Sequence, residues 1–254
     1  MAILQCRFHG SGHMPEYFMT KQSQHPISIL FIGDSITDCD RRTQHQPLGN
    51  GYVKLIDDMF KVHHPECQVK IINRGLGGNT MDDLRSRWTD HVLCEEPDWI
   101  VLKVGINDCN RHVTDSAANP LQSPEQYAEI LDHLMGYTRQ ALPDAKVLIV
   151  SPFYISQDMD LPGSYRARIR KTLDAYIEAN EVAAKKFHTE YLNLNAAFLT
   201  LSKYYKPCYL AEDAVHPNST GTLFIATKLY KILESALGLV ELEHHSVELK
   251  TVDL

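Results

Sequence analysis

A serine, a histidine and an aspartate stand at positions from which they could share one reaction. Ser35 follows Gly33-Asp34 at the end of the run Ile27-Ser28-Ile29-Leu30-Phe31-Ile32. A serine at a glycine turn just past a buried strand can expose its hydroxyl where a helix begins, with its own backbone N–H free to donate. The same residue is equally an ordinary cap for that helix. A hydroxyl is a poor nucleophile without a base. The best base is His216, in Glu212-Asp213-Ala214-Val215-His216-Pro217-Asn218. Asp213 stands three residues before it, a spacing that in a loop or single turn lets a carboxylate reach the imidazole Nδ1–H and fix its tautomer. Pro217 disfavours a helical backbone at His216, so Asn218 or Ser219 is expected to cap the helix that follows. The plainer alternative is a helix-entry loop carrying a surface histidine.

Attack on an ester carbonyl builds a tetrahedral oxyanion, and this needs donors already in place. Three are available: the Ser35 N–H, a backbone N–H within Gly77-Gly78, and the side-chain amide of Asn107. Glycine lets the backbone approach a substrate closely, and asparagine offers two N–H donors. Each also has a plain reading, a tight turn for the glycines and a turn or cap for Asn107-Asp108.

These residues must be positioned by the elements between them. Near-continuous apolar runs recur at 27–33, 69–72, 99–102 and 147–150, with a weaker one at 191–194, as suits strands buried on both faces of a parallel sheet. Helical spacing appears at Val53, Ile56, Met59 and Phe60, and at Tyr127, Ile130, Leu131, Leu134 and Tyr137 after a Ser123-Pro124 start. Residues 164–187 and 219–237 make two more helices. The alternation predicts a three-layer α/β/α sandwich around a central, mostly parallel five-stranded sheet. Ligands of such sheets sit beyond the carboxyl ends of the strands. Gly33-Asp34-Ser35, the Asn73 to Thr80 segment, Gly105 to Asp108 and Ser151 to Tyr154 all fall on that one predicted edge. With no linker, repeat or low-complexity block, the chain reads as one domain over 26–238. Residues 1–25 are set apart as an N-terminal extension and 239–254 as a polar tail.

Composition narrows the function classes. The 254 residues carry 25 Lys plus Arg against 32 Asp plus Glu, a formal charge of −7. An acidic chain lacks the footprint of a nucleic-acid binder, and no apolar run approaches a bilayer span. The six cysteines are scattered without a C-x-x-C pair, which reads as free thiols in a reducing compartment. With no long apolar stretch of a secretory signal near the start, a cytoplasmic location is expected. Adjacent histidines at 63–64 and 244–245 and the absence of His-Glu-x-x-His argue against a metal centre. The glycine loop at 73–80 lacks the lysine and the order of a phosphate cradle. No cofactor is expected. Trp99, inside a strand, is expected in the core, while Trp88, Tyr154 and Tyr165 could be core residues or could stack on a ligand.

Taken together, GDS at 33–35, NRGLGGNT at 73–80, GIND at 105–108 and DAVH at 213–216 resemble the four blocks of the SGNH hydrolases, also called GDSL esterases and lipases. Ile36 replaces the leucine that the GDSL name implies. The resemblance implies a flavodoxin-like sheet, Ser35 as nucleophile with Asp213 and His216, and an oxyanion hole of the Ser35 N–H, Gly78 and Asn107. Gly78 is preferred to Gly77 by its place two residues before Thr80. Over residues 27–237 the chain is similar to intracellular acetylxylan esterases, through FIGDSITDC at 31–39, LGNGYV at 48–53 and SPFYI at 151–155. This implies a serine esterase that deacetylates acetylated xylo-oligosaccharides through an acetyl-serine intermediate, with a lysophospholipase or acyl thioesterase as the alternative. The expected partner is a small-molecule ester, with no nucleic acid or membrane, and relatives of that branch imply a homo-oligomer.

Overall fold

The computed structural model describes residues 26–156 and 161–239. The expected N-terminal extension, and the expected tail apart from Leu239, lie outside the described residues. Five strands, β1 (Ile27–Gly33), β2 (Val69–Asn73), β3 (Trp99–Lys103), β4 (Lys146–Val150) and β5 (Glu190–Leu192), form one sheet. Their order is β2-β1-β3-β4-β5, and all four pairings are parallel. Nine α-helices are described: α1 (Ser35–Asp38), α2 (Tyr52–His63), α3 (Met81–Ser86), α4 (Trp88–His91), α5 (Ile106–Thr114), α6 (Pro124–Ala141), α7 (Tyr165–Phe187), α8 (Leu194–Leu201) and α9 (Ser219–Ala236).

Alternate residues of each strand face opposite layers. Leu30, Ile32, Ile100, Leu102, Val147 and Ile149 pack with α3 to α7. Ile29, Phe31, Trp99, Val101, Leu148 and Val150 pack with α2, α8 and α9. This is the α/β/α sandwich expected, and burial on both faces explains why the strands read as continuous apolar runs. Trp99 is core, as expected, and so are Trp88 and Tyr154, whereas Tyr165 is exposed.

The caps follow the sequence where the sequence carried them. Ser123 accepts from the Gln126 N–H ahead of α6, Ser164 from Ala167 ahead of α7, and Asn218 from Thr220 and Gly221 ahead of α9. Asn218, rather than Ser219, is thus the cap. The last apolar run differs from expectation: the strand ends at Leu192, Asn193 caps a new helix, and Leu194 is its first residue.

Strand order places the site. The chain leaves β1 toward β2 on one side, and leaves β3 toward β4 on the other. The loops after these neighbouring strands diverge and leave a crevice at the carboxyl edge of the sheet. Ser35 and Asn107 open the helices at that crevice, α1 after β1 and α5 after β3.

Candidate active site

Ser35 does not cap its helix. The cap of α1 is Asp34, whose Oδ1 accepts from the Ile36 N–H at 3.0 Å. Ser35 is left as the first helical residue, and its Oγ lies 3.1 Å from His216 Nε2. Beneath it Asp34 is paired with Lys103 at the end of β3, Nζ lying 3.3 and 3.4 Å from the two carboxylate oxygens. Both side chains are wholly buried, and the ammonium lies over the Phe153 ring. An isolated charge could not be buried there; the pair can.

His216 and Asp213 come from the loop before α9. A backbone bridge between Ala211 and Pro217 closes that loop, and the Ile155 N–H donates to Ala214 O at 2.8 Å, tying it to the segment after β4. Asp213 Oδ1 accepts from the Val215 and His216 N–H groups at 2.6 and 2.7 Å, while Oδ2 accepts from His216 Nδ1 at 2.8 Å. Desolvation raises the Asp213 pKa, but the hydrogen bonds from His216 and Val215 outweigh it and hold it below the ordinary carboxylate value. With Nδ1–H given to Asp213, Nε2 is the acceptor for the Ser35 hydroxyl proton. Both side chains of this pair are about half exposed, at 52% and 55%, so the array opens directly to solvent.

The three expected donors sit on neighbouring segments, Asn107 bonded to the Gly78 loop and that loop lying beside Ser35. The Gly77 N–H is spent on Asp38 Oδ2 at 2.9 Å, whereas among the described residues no acceptor takes the Gly78 N–H. Gly78 sits at φ +79° with open space where a Cβ would point, a backbone that glycine adopts without strain. Its carbonyl accepts from Arg111 Nη2 at 2.9 Å. Asn107 Nδ2 donates to Asn79 O at 3.0 Å, which fixes the amide and leaves its second N–H. As the first residue of α1, Ser35 also has a backbone N–H with no intrahelical partner. The loop abuts the nucleophile: a Cβ at Gly77 would lie 3.9 Å from that of Ser35.

Residues that the sequence reading passed over hold this loop in place. Buried Asn73 donates to Thr37 O and Leu48 O, both at 2.7 Å, and accepts from the Gly75 N–H. Arg87 reaches Asn79 Oδ1, Arg74 O and Gly33 O. Burial, with Arg41 nearby, pushes its guanidinium down to about 10. The Asn-x-x-x-x-Gly-x-Thr spacing was the only sign of Asn73, and nothing local marked Arg87 or Lys103. Among the described residues no three His, Cys, Asp or Glu side chains are grouped to hold a metal, and Cys39, Cys67, Cys94, Cys109 and Cys208 are unpaired. No described helix is long and apolar enough to cross a membrane.

Comparison with known proteins shows the family. The sequence model of the GDSL-like Lipase/Acylhydrolase family matches residues 31–222. An acetylxylan esterase from Geobacillus stearothermophilus is 31% identical over 208 residues, covering 78% of this chain and 90% of that protein. Thioesterase 1/protease 1/lysophospholipase L1 of Escherichia coli (strain K12) is 23% identical, covering 87% and 92%. The crystal structure of a catalytic mutant of Axe2, an acetylxylan esterase from Geobacillus stearothermophilus, superposes with a TM-score of 0.71 at 29% identity, over 81% of this chain and 93% of that one. Catalytic mutants of Axe2 replace a histidine, an aspartate three positions before it, and a serine by alanine.

Proposed function

The chain belongs to the GDSL-like lipase/acylhydrolase family and is a carboxylic ester hydrolase, and we propose that it removes acetyl groups from acetylated xylo-oligosaccharides by a Ser35-His216-Asp213 mechanism. The observation that carries the mechanism is the continuous line from Ser35 Oγ to His216 Nε2 at 3.1 Å and from Nδ1 to Asp213 at 2.8 Å. Ser35 Oγ attacks the ester carbonyl while Nε2 takes its proton. The oxyanion forms against the Ser35 N–H, the Gly78 N–H and the Asn107 amide. The imidazolium, steadied by Asp213, protonates the departing sugar oxygen, which leaves as the free hydroxyl, and an acetyl-serine remains. Water attacks that ester, giving one proton to Nε2, which passes it to Ser35 Oγ as the acyl bond breaks, and acetic acid leaves to ionise in solution. The Asp-x-x-His spacing of the Axe2 catalytic mutants supports these roles.

A short acyl group suits an array that opens to solvent at half-exposed His216 and Asp213, since long chains need an extended apolar groove. The Escherichia coli thioesterase and lysophospholipase relative is the reason to test the alternative. Ser35→Ala abolishes hydrolysis of 4-nitrophenyl acetate without loss of the folded circular dichroism spectrum; retained activity overturns the mechanism. With the intact enzyme, rates fall from acetyl to octanoyl to palmitoyl esters and are high on acetylated xylo-oligosaccharides. A preference for long chains assigns the lipid or thioester reading instead.

A further inference from the structure

Asp108 follows Asn107 in α5 and takes no part in the chemistry above, yet its side chain is fully buried. Its Oδ1 accepts from the Met81 N–H, the first residue of α3, at 3.0 Å. One step away, Asn107 Nδ2 donates to Asn79 O at 3.0 Å. Two adjacent bonds therefore tie the segment that carries Gly78 to the helix that carries Asn107. Asp108 Oδ2 is buried and meets no hydrogen-bond partner among the described residues. A charged oxygen without a donor is far costlier to bury than a neutral hydroxyl, so a proton belongs on Oδ2.

We propose that Asp108 is a positioning residue for the oxyanion donors and acts in its neutral form, its Oδ1 holding the Gly78 segment to α5 while the proton on Oδ2 keeps a buried negative charge away from the forming oxyanion. This rests on the reading of Gly78 and Asn107 as oxyanion donors.

The surroundings favour that state. Burial pushes the carboxyl up to about 7, against the pull of the Met81 N–H, its own N–H and Arg111, and with Asp34 adding to the rise. The other titratable groups in its field are Cys109 on α5, Tyr127 on α6 and Tyr176 on α7, each raised by its own burial and so uncharged near neutrality. The acidic side chains of α3 are engaged elsewhere, Asp82 with Arg85 and Asp83 with Thr80.

The test compares kcat and KM of wild type, Asn107→Ala, Asp108→Asn and Asp108→Ala on a soluble acetyl ester from about pH 5 to 9, a range that brackets the ionisation of the buried Asp108 carboxyl. Asp108→Ala lowers kcat about tenfold with KM little changed, a smaller loss than removing a donor outright. Asp108→Asn, whose amide oxygen still accepts from Met81, recovers most of that loss. Wild-type kcat declines above about pH 7 as the buried carboxyl ionises, and Asp108→Asn lacks this decline. The proposal is overturned if Asp108→Asn keeps the alkaline decline or is as impaired as Asp108→Ala. A readout on the wild-type protein is independent of how the variants fold: its infrared spectrum at mildly acid pH shows a protonated-carboxyl band that disappears at alkaline pH, and absence of that band also overturns the proposal. Full activity in Asn107→Ala would instead defeat the assignment of the oxyanion donors.

Discussion

Ser35 and His216 stand within hydrogen-bonding distance of each other, so a proton path between them lies within the protein itself. Asp213 determines how that path behaves in acid. Because its carboxylate is held below the ordinary value by hydrogen bonds that overcome desolvation, it keeps its charge to lower pH in the folded protein than in the unfolded chain. Its contribution to stability is present above the unfolded pKa and is lost as pH falls through the folded one. Asp213→Asn leaves the loop bonded but removes the charge that steadies the imidazolium, so kcat falls by roughly 10²–10⁴. Steady-state kinetics of that variant at neutral pH check this, and an unchanged kcat would remove Asp213 from the mechanism. At this scale the sequence was most legible where chemistry forces a pattern, as in Asp213-x-x-His216. It was least legible at Lys103 and Asp108. A lysine ending a strand and an aspartate opening a helix both look like surface residues, and their burial depends on Asp34 and Met81, far away in the chain.

Single elements explain why Ser35 stays where it is. Helix α1 has only four residues, too short to persist through its own hydrogen bonds. It is held by the Asp34 cap, and the cap is held by Lys103. Lys103→Met leaves a buried carboxylate without its partner and destabilises the protein by about 3–5 kcal/mol, the usual cost of breaking a buried pair. The double variant Asp34→Asn, Lys103→Met recovers much of this, because asparagine still offers an oxygen to the Ile36 N–H while carrying no charge. Urea unfolding of the three variants measures it; wild-type stability in Lys103→Met would show the pair to be dispensable. Elements were legible in proportion to their length and apolar content. The four longer strands, the helices α2, α6, α7 and α9 and the start of α1 could be read, whereas α3, α4, α5 and α8 could not. Short helices offer too few turns for a 3.6-residue period to emerge, and α8 hid behind a strand that breaks off at Leu192.

Across the whole molecule, the parallel sheet concentrates strand exits on one edge, and its β2-β1-β3 order opens the crevice there. The α9 helix closes the opposite layer against α2, with Ile225, Leu229 and Leu233 wholly buried. Leu229→Ala should cost about 2–5 kcal/mol, read as a lower urea midpoint with an unchanged slope. The architecture was legible because strand-helix alternation leaves few other topologies. The crevice itself needed the strand order, which apolar runs do not encode.

Ser35 and His216 are 181 positions apart in the chain, one leaving the first strand and the other arriving just before the last described helix. A polypeptide emerging from the ribosome thus displays Ser35 long before it owns an imidazole to activate it. If His216 is the base proposed, stalled or C-terminally clipped molecules that lack residue 216 will be silent toward esters however well their early strands assemble. Release of a fluorescent alcohol from its acetate would consequently act as a timer for completed synthesis.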